Sequence, residues 1–244
     1  MKNSKEKFES IIIDYFMEIE DFISKSDNSR INSNEKYKIA ESKIEKLTDF
    51  RTLLDGLILK VSKNFHTPVK ELNENISYQI GICASFLRTH FLINKLIMGG
   101  DIIEATTLIR KQLEAATRFS ELETKEIQKL ARKTPNVNNE SKGVTKDLYS
   151  KLSEIAHSGS LDVTQLIARI DSNENISTAN IYPFFSQDSL ECYKFHAYVA
   201  MIFLGKYINF AVKLYPEYDA ISEIKMFLIL NEIHKEIPFL NNKR

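Results

Sequence analysis

The stretch that decides the fold is 101-DIIEATTLIRKQLEAATRFSEL-122. Ile102, Ala105, Ile109, Leu113 and Ala116 recur at three and four residues, the spacing that lines one face of an α-helix. Asp101 stands where an N-cap belongs, and Gly99-Gly100 just before it ends whatever precedes. The pattern predicts a helix that starts after Asp101 and runs as far as Arg132. Arg110 and Glu114 lie four residues apart at the shoulder of its apolar stripe, the spacing of an intrahelical ion pair.

Outward from this segment the same period continues. The run from Ile76 to Met98 is apolar on most faces, interrupted by Arg88, His90, Asn94 and Lys95, and reads as a central helix. Burial would oblige Arg88 and His90 to find partners there. Beyond the polar loop 134–143, the stretch 149-YSKLSEIAHSGS-160 gives a helix. It sets Tyr149, Leu152 and Ala156 on one side and Ser150, Ser153, Glu154 and His157 on the other. His157 falls in the last turn, before a Ser-Gly-Ser stop, where it can serve as a functional acid or base or satisfy a helix-terminal carbonyl. A short apolar piece at 161–170 and a loop through Pro183 come next. Residues 189–215 are the most apolar of the chain, but His196, Lys206, Asn209 and Lys213 leave no unbroken run of the ~18 residues a membrane span needs. That favours a buried core helix and no membrane. A last helix covers 219–236, and no strand pattern competes.

At the start, Phe8, Ile11, Ile12, Tyr15, Phe16, Ile19, Phe22 and Ile23 share one helical face over 5–24. The run 24-SKSDNSRINSN-34 reads as a loop by its Ser and Asn content. From Asn34, the positions Tyr37, Ala40, Ile44, Leu47, Arg51, Leu54, Ile58 and Val61 alternate steps of three and four. This is the seam of an antiparallel hairpin or a short coiled coil, broken only by Arg51, whose stem packs along the seam with its head toward water. The expected organisation is an N-terminal helical hairpin over 1–65, suited to dimerisation or to a protein partner, and a helical bundle over 76–244. The fold class is all-α.

The 244 residues contain 33 Lys and Arg against 33 Asp and Glu, so no global field draws the chain to nucleic acid or to an anionic membrane. A local excess exists: over 125–151 seven lysines and arginines face three carboxylates. Cys83 and Cys192 each sit in an apolar run, which argues for buried thiols and a cytoplasmic location. The acidic residues within the first apolar segment do not fit a signal peptide. Glu154 and His157 have the spacing of a di-iron ligand pair, but no second E-x-x-H exists to complete one, and no cofactor motif is present.

The order of an Arg-and-Glu helix (LIRKQLEAATRFSEL), a polar loop and a helix with YSKLSEIAH resembles a bacterial family of helical proteins of unknown function, the DUF5677-like group. The resemblance covers 76–160, roughly a third of the chain. More distantly it resembles the HEPN superfamily of helical bundles, many of them toxin or phage-defence ribonucleases. Those carry Arg, four to six residues, then His; here the place reads Lys151-Leu-Ser-Glu-Ile-Ala-His157, with Lys for Arg. An Arg fork grips a phosphate at two points and Lys only at one. The resemblance implies a homodimer whose histidine helices meet at a composite cleft, and metal-free attack of an RNA 2′-hydroxyl on the adjacent phosphate. His157 would act as acid or base, Lys151 or Arg110 would stabilise charge, and Glu114 would orient the arginine. The alternative is a non-catalytic interaction module, in which Arg110, Glu114 and His157 form a buried network that fixes helix packing.

Overall fold

The computed structural model describes residues 2–137, 144–157, 166, 168–171 and 176–241; side chains are described for Glu9, 11–137, 147–157, 166 and 180–241. The fold is an all-α helical bundle. Its elements are α1 (Lys2–Ser42), α2 (Leu47–Ser62), a 3-10 turn (Lys63–His66), α3 (Glu74–Gly99), α4 (Ile102–Glu121), α5 (Ile127–Leu130) and α6 (Val144–Ala156). A short antiparallel hairpin, β1 (Ala168–Asp171) with β2 (Ile176–Ala179), follows. The chain closes with α7 (Gln187–Leu214), α8 (Ile221–Glu236) and α9 (Pro238–Asn241). The hairpin pairs Ala168 with Ala179 and lies where the sequence shows no alternating pattern. Most of the apolar piece read at 161–170, the Ser-Gly-Ser stop and 138–143 of the polar loop lie outside the described residues.

The helix α4 is the hub, packing against α3, α6 and α7. Ala105, Ile109, Leu113, Ala116 and Phe119 are all fully buried, so its apolar stripe is the centre of the core. It ends at Glu121, not Arg132. The reversal after it is clamped from both sides. Asn75 donates to the carbonyls of Leu122 and Lys125 and accepts from the Ile127 N–H, while Arg118 donates to the Leu130 and Lys133 carbonyls. The N-cap at Asp101 also differs from expectation. Its carboxylate makes no capping bond and instead accepts from Arg30 Nε and Nη2, each at 3.1 Å. Gly100 ends α3 at φ 88°, a left-handed conformation in which a Cβ would also collide with the backbone of Phe184.

The N-terminal hairpin breaks in a different place from the one its composition suggests. The Ser- and Asn-rich run 24–34 is helical, and α1 continues unbroken to Ser42; the turn is 43–46, with Lys46 at φ 65°. Ser29 donates to the Pro183 carbonyl and Ser33 to that of Met98. Small hydroxyl side chains thus let this part of α1 approach its neighbours closely. The seam positions do face inward: Tyr37, Leu47, Leu54 and Val61 are fully buried, in one core with α3, α4 and α7. Arg51 is only half-buried, but its head turns inward and not to open water. It donates to both carboxylate oxygens of Glu41, Nε to Oε1 at 2.6 Å and Nη2 to Oε2 at 2.9 Å. The Glu41 side chain is only 2% exposed, and a buried carboxylate requires a paired cation.

Arg88 is exposed, whereas His90 is fully buried, its Nε2 held 2.7 Å from Asp55 of α2. Asn94 donates to the same carboxylate. The His196 ring of α7 lies 4.6 Å from that of His90. Both cysteines are free and buried; burial pushes the Cys192 thiol up to about 12 and raises that of Cys83 as well. By length and composition α3 and α7 could each cross a bilayer; in the fold Phe86, Ile93 and Ile97 of α3 and Phe203 and Leu204 of α7 meet in the core.

Burial, then the nearby His90 ring, lowers the pKa of His196 well below its usual 6.5. A base that binds protons more weakly in the folded chain than in the unfolded one adds stability that is complete above the unfolded value and declines as pH falls below it. The expected melting temperature is therefore flat above about pH 6.5 and drops toward pH 5. His196→Phe, which fills the same space without a proton site, shallows that drop. The slope that remains includes His234, whose pKa burial lowers too. A series of thermal melts checks this, and identical acid slopes for wild type and variant would refute it.

Candidate functional site

The candidate site is built on the contact between α4 and α6. Leu148 and Leu152 of α6 enter the same core as Ile109 and Leu113 of α4, Leu152 with no exposure at all. Residues that flank these buried positions on the two helices are thereby set edge to edge. On α4 these are Arg110 and Glu114, one turn apart, with side chains 21% and 28% exposed. On α6 they are Tyr149 and His157, about two turns apart.

The four side chains are joined by three hydrogen bonds and one ion pair. Arg110 Nη1 lies 2.5 Å from His157 Nε2, and Arg110 Nη2 donates to the Tyr149 hydroxyl at 2.9 Å. That hydroxyl donates in turn to Glu114 Oε1 at 2.8 Å, and Arg110 Nε stands 3.3 Å from the same oxygen. The guanidinium also lies over the Tyr149 ring, 5.0 Å from its centroid, a cation–π placement. A guanidinium has donors only, so His157 Nε2 is the acceptor. That bond forms only with the tautomer that carries its proton on Nδ1. Tyr149 accepts from a cation and donates to a carboxylate, a polarised hydroxyl between opposite charges.

Three of the four residues picked from sequence, Arg110, Glu114 and His157, are brought together. The fourth, Lys151, is exposed on α6, about 120° around the helix from His157 at ~100° per residue, and takes no part in the bonds just described. His157 is exposed, and its backbone N–H closes the last turn on the Ser153 carbonyl. Its ring turns to Arg110 and not to a helix-end carbonyl. Tyr149 is the member the sequence pattern hides, since it falls on the same side as Leu152 and Ala156. Its signal is the eight-residue offset from His157, about 80° of rotation at ~100° per residue, close enough for a long side chain on the apolar side to reach the polar edge.

Two surface hollows lie elsewhere. One is lined by Phe22, Arg30, Asp101 and Tyr182, the other by Asn64, Pro68, Tyr215 and Tyr218. Neither includes a residue of the cluster, in which His157 is exposed and Arg110, Glu114 and Tyr149 are half-buried. Among the described residues, no group of three or more His, Cys, Asp or Glu side chains is placed to hold a metal ion. No family model, curated protein or solved structure matches the chain.

If the hydroxyl is the bridge of this network, Tyr149→Phe lowers stability by about 1 kcal/mol. The loss is then non-additive with Glu114→Ala, because each variant removes the same bond. Urea unfolding of the two single variants and the double variant tests this. Losses that add to within ~0.4 kcal/mol would show that the two groups are not coupled.

Proposed function

We propose that the protein is a HEPN-like bacterial helical protein of toxin or defence type that cleaves RNA without a metal, His157 being its acid-base group. The observation that supports this reading is the exposed Arg110–His157 pair, backed by Tyr149 and Glu114. It unites a proton-accepting nitrogen on an exposed side chain with a fixed, half-buried guanidinium, the two groups that phosphodiester transfer by an internal hydroxyl requires. A histidine enclosed by the C-terminal helices would have favoured the non-catalytic interaction module.

In this mechanism a phosphate takes the place of His157 as the partner of Arg110, because a guanidinium binds two phosphate oxygens in preference to one neutral nitrogen. That exchange frees Nε2 to take the proton of the RNA 2′-hydroxyl. The 2′-oxygen bonds to phosphorus, the bond to the 5′-oxygen breaks, and the leaving oxygen takes a proton. The products are a 2′,3′-cyclic phosphate and a 5′-hydroxyl. Arg110 stabilises the charge on the phosphorane, with Glu114 and Tyr149 holding its plane, and Lys151 is a peripheral phosphate contact. A helix pair grips a strand from one side only, so a second copy of the chain supplies the opposite wall and, through His157 of the second copy, the proton for the leaving oxygen. The reading places the protein in the cytoplasm, with α3 and α7 as core helices.

The test incubates the purified chain with total cellular RNA in EDTA, beside His157→Ala, Arg110→Ala and Lys151→Ala at matched folded fraction. Wild type is expected to cleave, leaving cyclic phosphate ends. His157→Ala and Arg110→Ala should each lose on the order of 100-fold or more, and Lys151→Ala far less. No cleavage by any of them, or an unimpaired His157→Ala, would overturn the proposal.

A further inference from the structure

The first helix carries a second feature that the catalytic reading does not use. At 1.5 Å per residue the 41 residues of α1 extend for about 60 Å, and only the later half is packed. Ser26, Ser33 and Tyr37 are buried, and the Phe22 ring meets that of Tyr182 at 5.4 Å. N-terminal to that contact the same face is open. Ile12, Tyr15, Phe16, Ile19, Phe22 and Ile23 fall within an arc of about 120° at ~100° per residue; each is 44–59% exposed. At roughly 200 Å² for each large side chain they present on the order of 600 Å². That equals the largest patch of an ordinary monomer, about 300–600 Å², and approaches the ~800 Å² that each side of a stable interface contributes. The stripe continues the face that already docks on the bundle, so the body of the protein holds it in place.

The charges beside the stripe select its occupant. From Glu9 to Asp21 there are five carboxylates, Glu9, Asp14, Glu18, Glu20 and Asp21, and no Lys, Arg or His. Glu9 and Glu20 flank one side of the apolar arc and Glu18 the other, with Asp14 and Asp21 farther round beyond Glu18. The next cation, Lys25, pairs with Asp21 at 2.6 Å. When this segment is laid on a second copy of itself, in either direction, carboxylates oppose carboxylates, which disfavours pairing. An anionic lipid surface is repelled by the same charges. A helix whose apolar face is bordered by Lys and Arg satisfies both the stripe and its borders. We propose that residues 11–23 of α1 form a docking site for a basic amphipathic helix of a protein partner.

The test uses the full chain and a labelled 20-residue amphipathic helical peptide with Lys and Arg beside its apolar face, together with the same peptide carrying Glu at those positions. Fluorescence anisotropy is expected to show saturable binding of the basic peptide, weakened by salt, and none of the acidic one. Ile19→Asp and the charge reversal Asp14→Lys/Glu18→Lys should each weaken it by about tenfold or more. These side chains are exposed, so unchanged melting temperatures show that the loss is not unfolding. Equal binding of the two peptides, no binding of either, or binding indifferent to Ile19→Asp would overturn the proposal. So would self-association of the wild type that Ile19→Asp abolishes, or adsorption to phosphatidylserine vesicles. None of these outcomes depends on RNA cleavage, so this proposal and the catalytic one stand or fall separately.

Discussion

The polar cluster depends on one packing contact, the seating of α6 on α4 through Leu152. That side chain is completely buried, and replacing such a leucine by alanine typically costs about 2–5 kcal/mol. An i,i+4 ion pair on a helix surface contributes only a few tenths of a kcal/mol. The apolar contact therefore sets the geometry, and Arg110, Glu114, Tyr149 and His157 inherit it. Their bonds cost little ordering entropy because the helices already fix their backbones. An arginine held in this way is prepared for an anion before one arrives, the condition under which electrostatic stabilisation is most effective.

The interior follows the opposite logic. Arg51 with Glu41, and Asp55 with His90 and Asn94, each join a half-buried charge to a buried polar partner. Such groups add little net stability over apolar replacements, but removing one partner strands the other, at about 3–5 kcal/mol for an ion pair. They tie α1 to α2 and α2 to α3, so the N-terminal hairpin is locked to the bundle by specific pairs as well as by its seam. The same lock directs the open half of α1 away from the body.

Much of this was legible in the sequence, and the exceptions have physical causes. The three-four periodicity gave the helices and set Arg110 and Glu114 at the shoulder of one stripe and His157 on the polar face of another helix; that the two helices meet there is not in the spacing. Tyr149 was hidden because its ring packs with the apolar side while its hydroxyl reaches the polar edge, and a binary pattern assigns a residue to one side only. The run 24–34 looks like a loop because Ser and Asn favour turns in isolation; here Ser29, Arg30 and Ser33 bond to Pro183, Asp101 and Met98, and tertiary contacts override the local preference. Arg51 seemed bound for water because Glu41, its partner, lies across the hairpin on the other helix. The end of α4 at Glu121 is imposed by Asn75, far away in the chain, and no local signal marks it.

The central claim is that Arg110 holds the lone pair of His157 Nε2. Long-range proton–nitrogen NMR correlation of the imidazole rings reports it directly, through the chemical shifts of the two ring nitrogens of His157 at neutral pH. The expected result is the tautomer with the proton on Nδ1 and a bare Nε2, lost when Arg110 is replaced by alanine. A proton on Nε2 in the wild type, or an unchanged spectrum in Arg110→Ala, would contradict it.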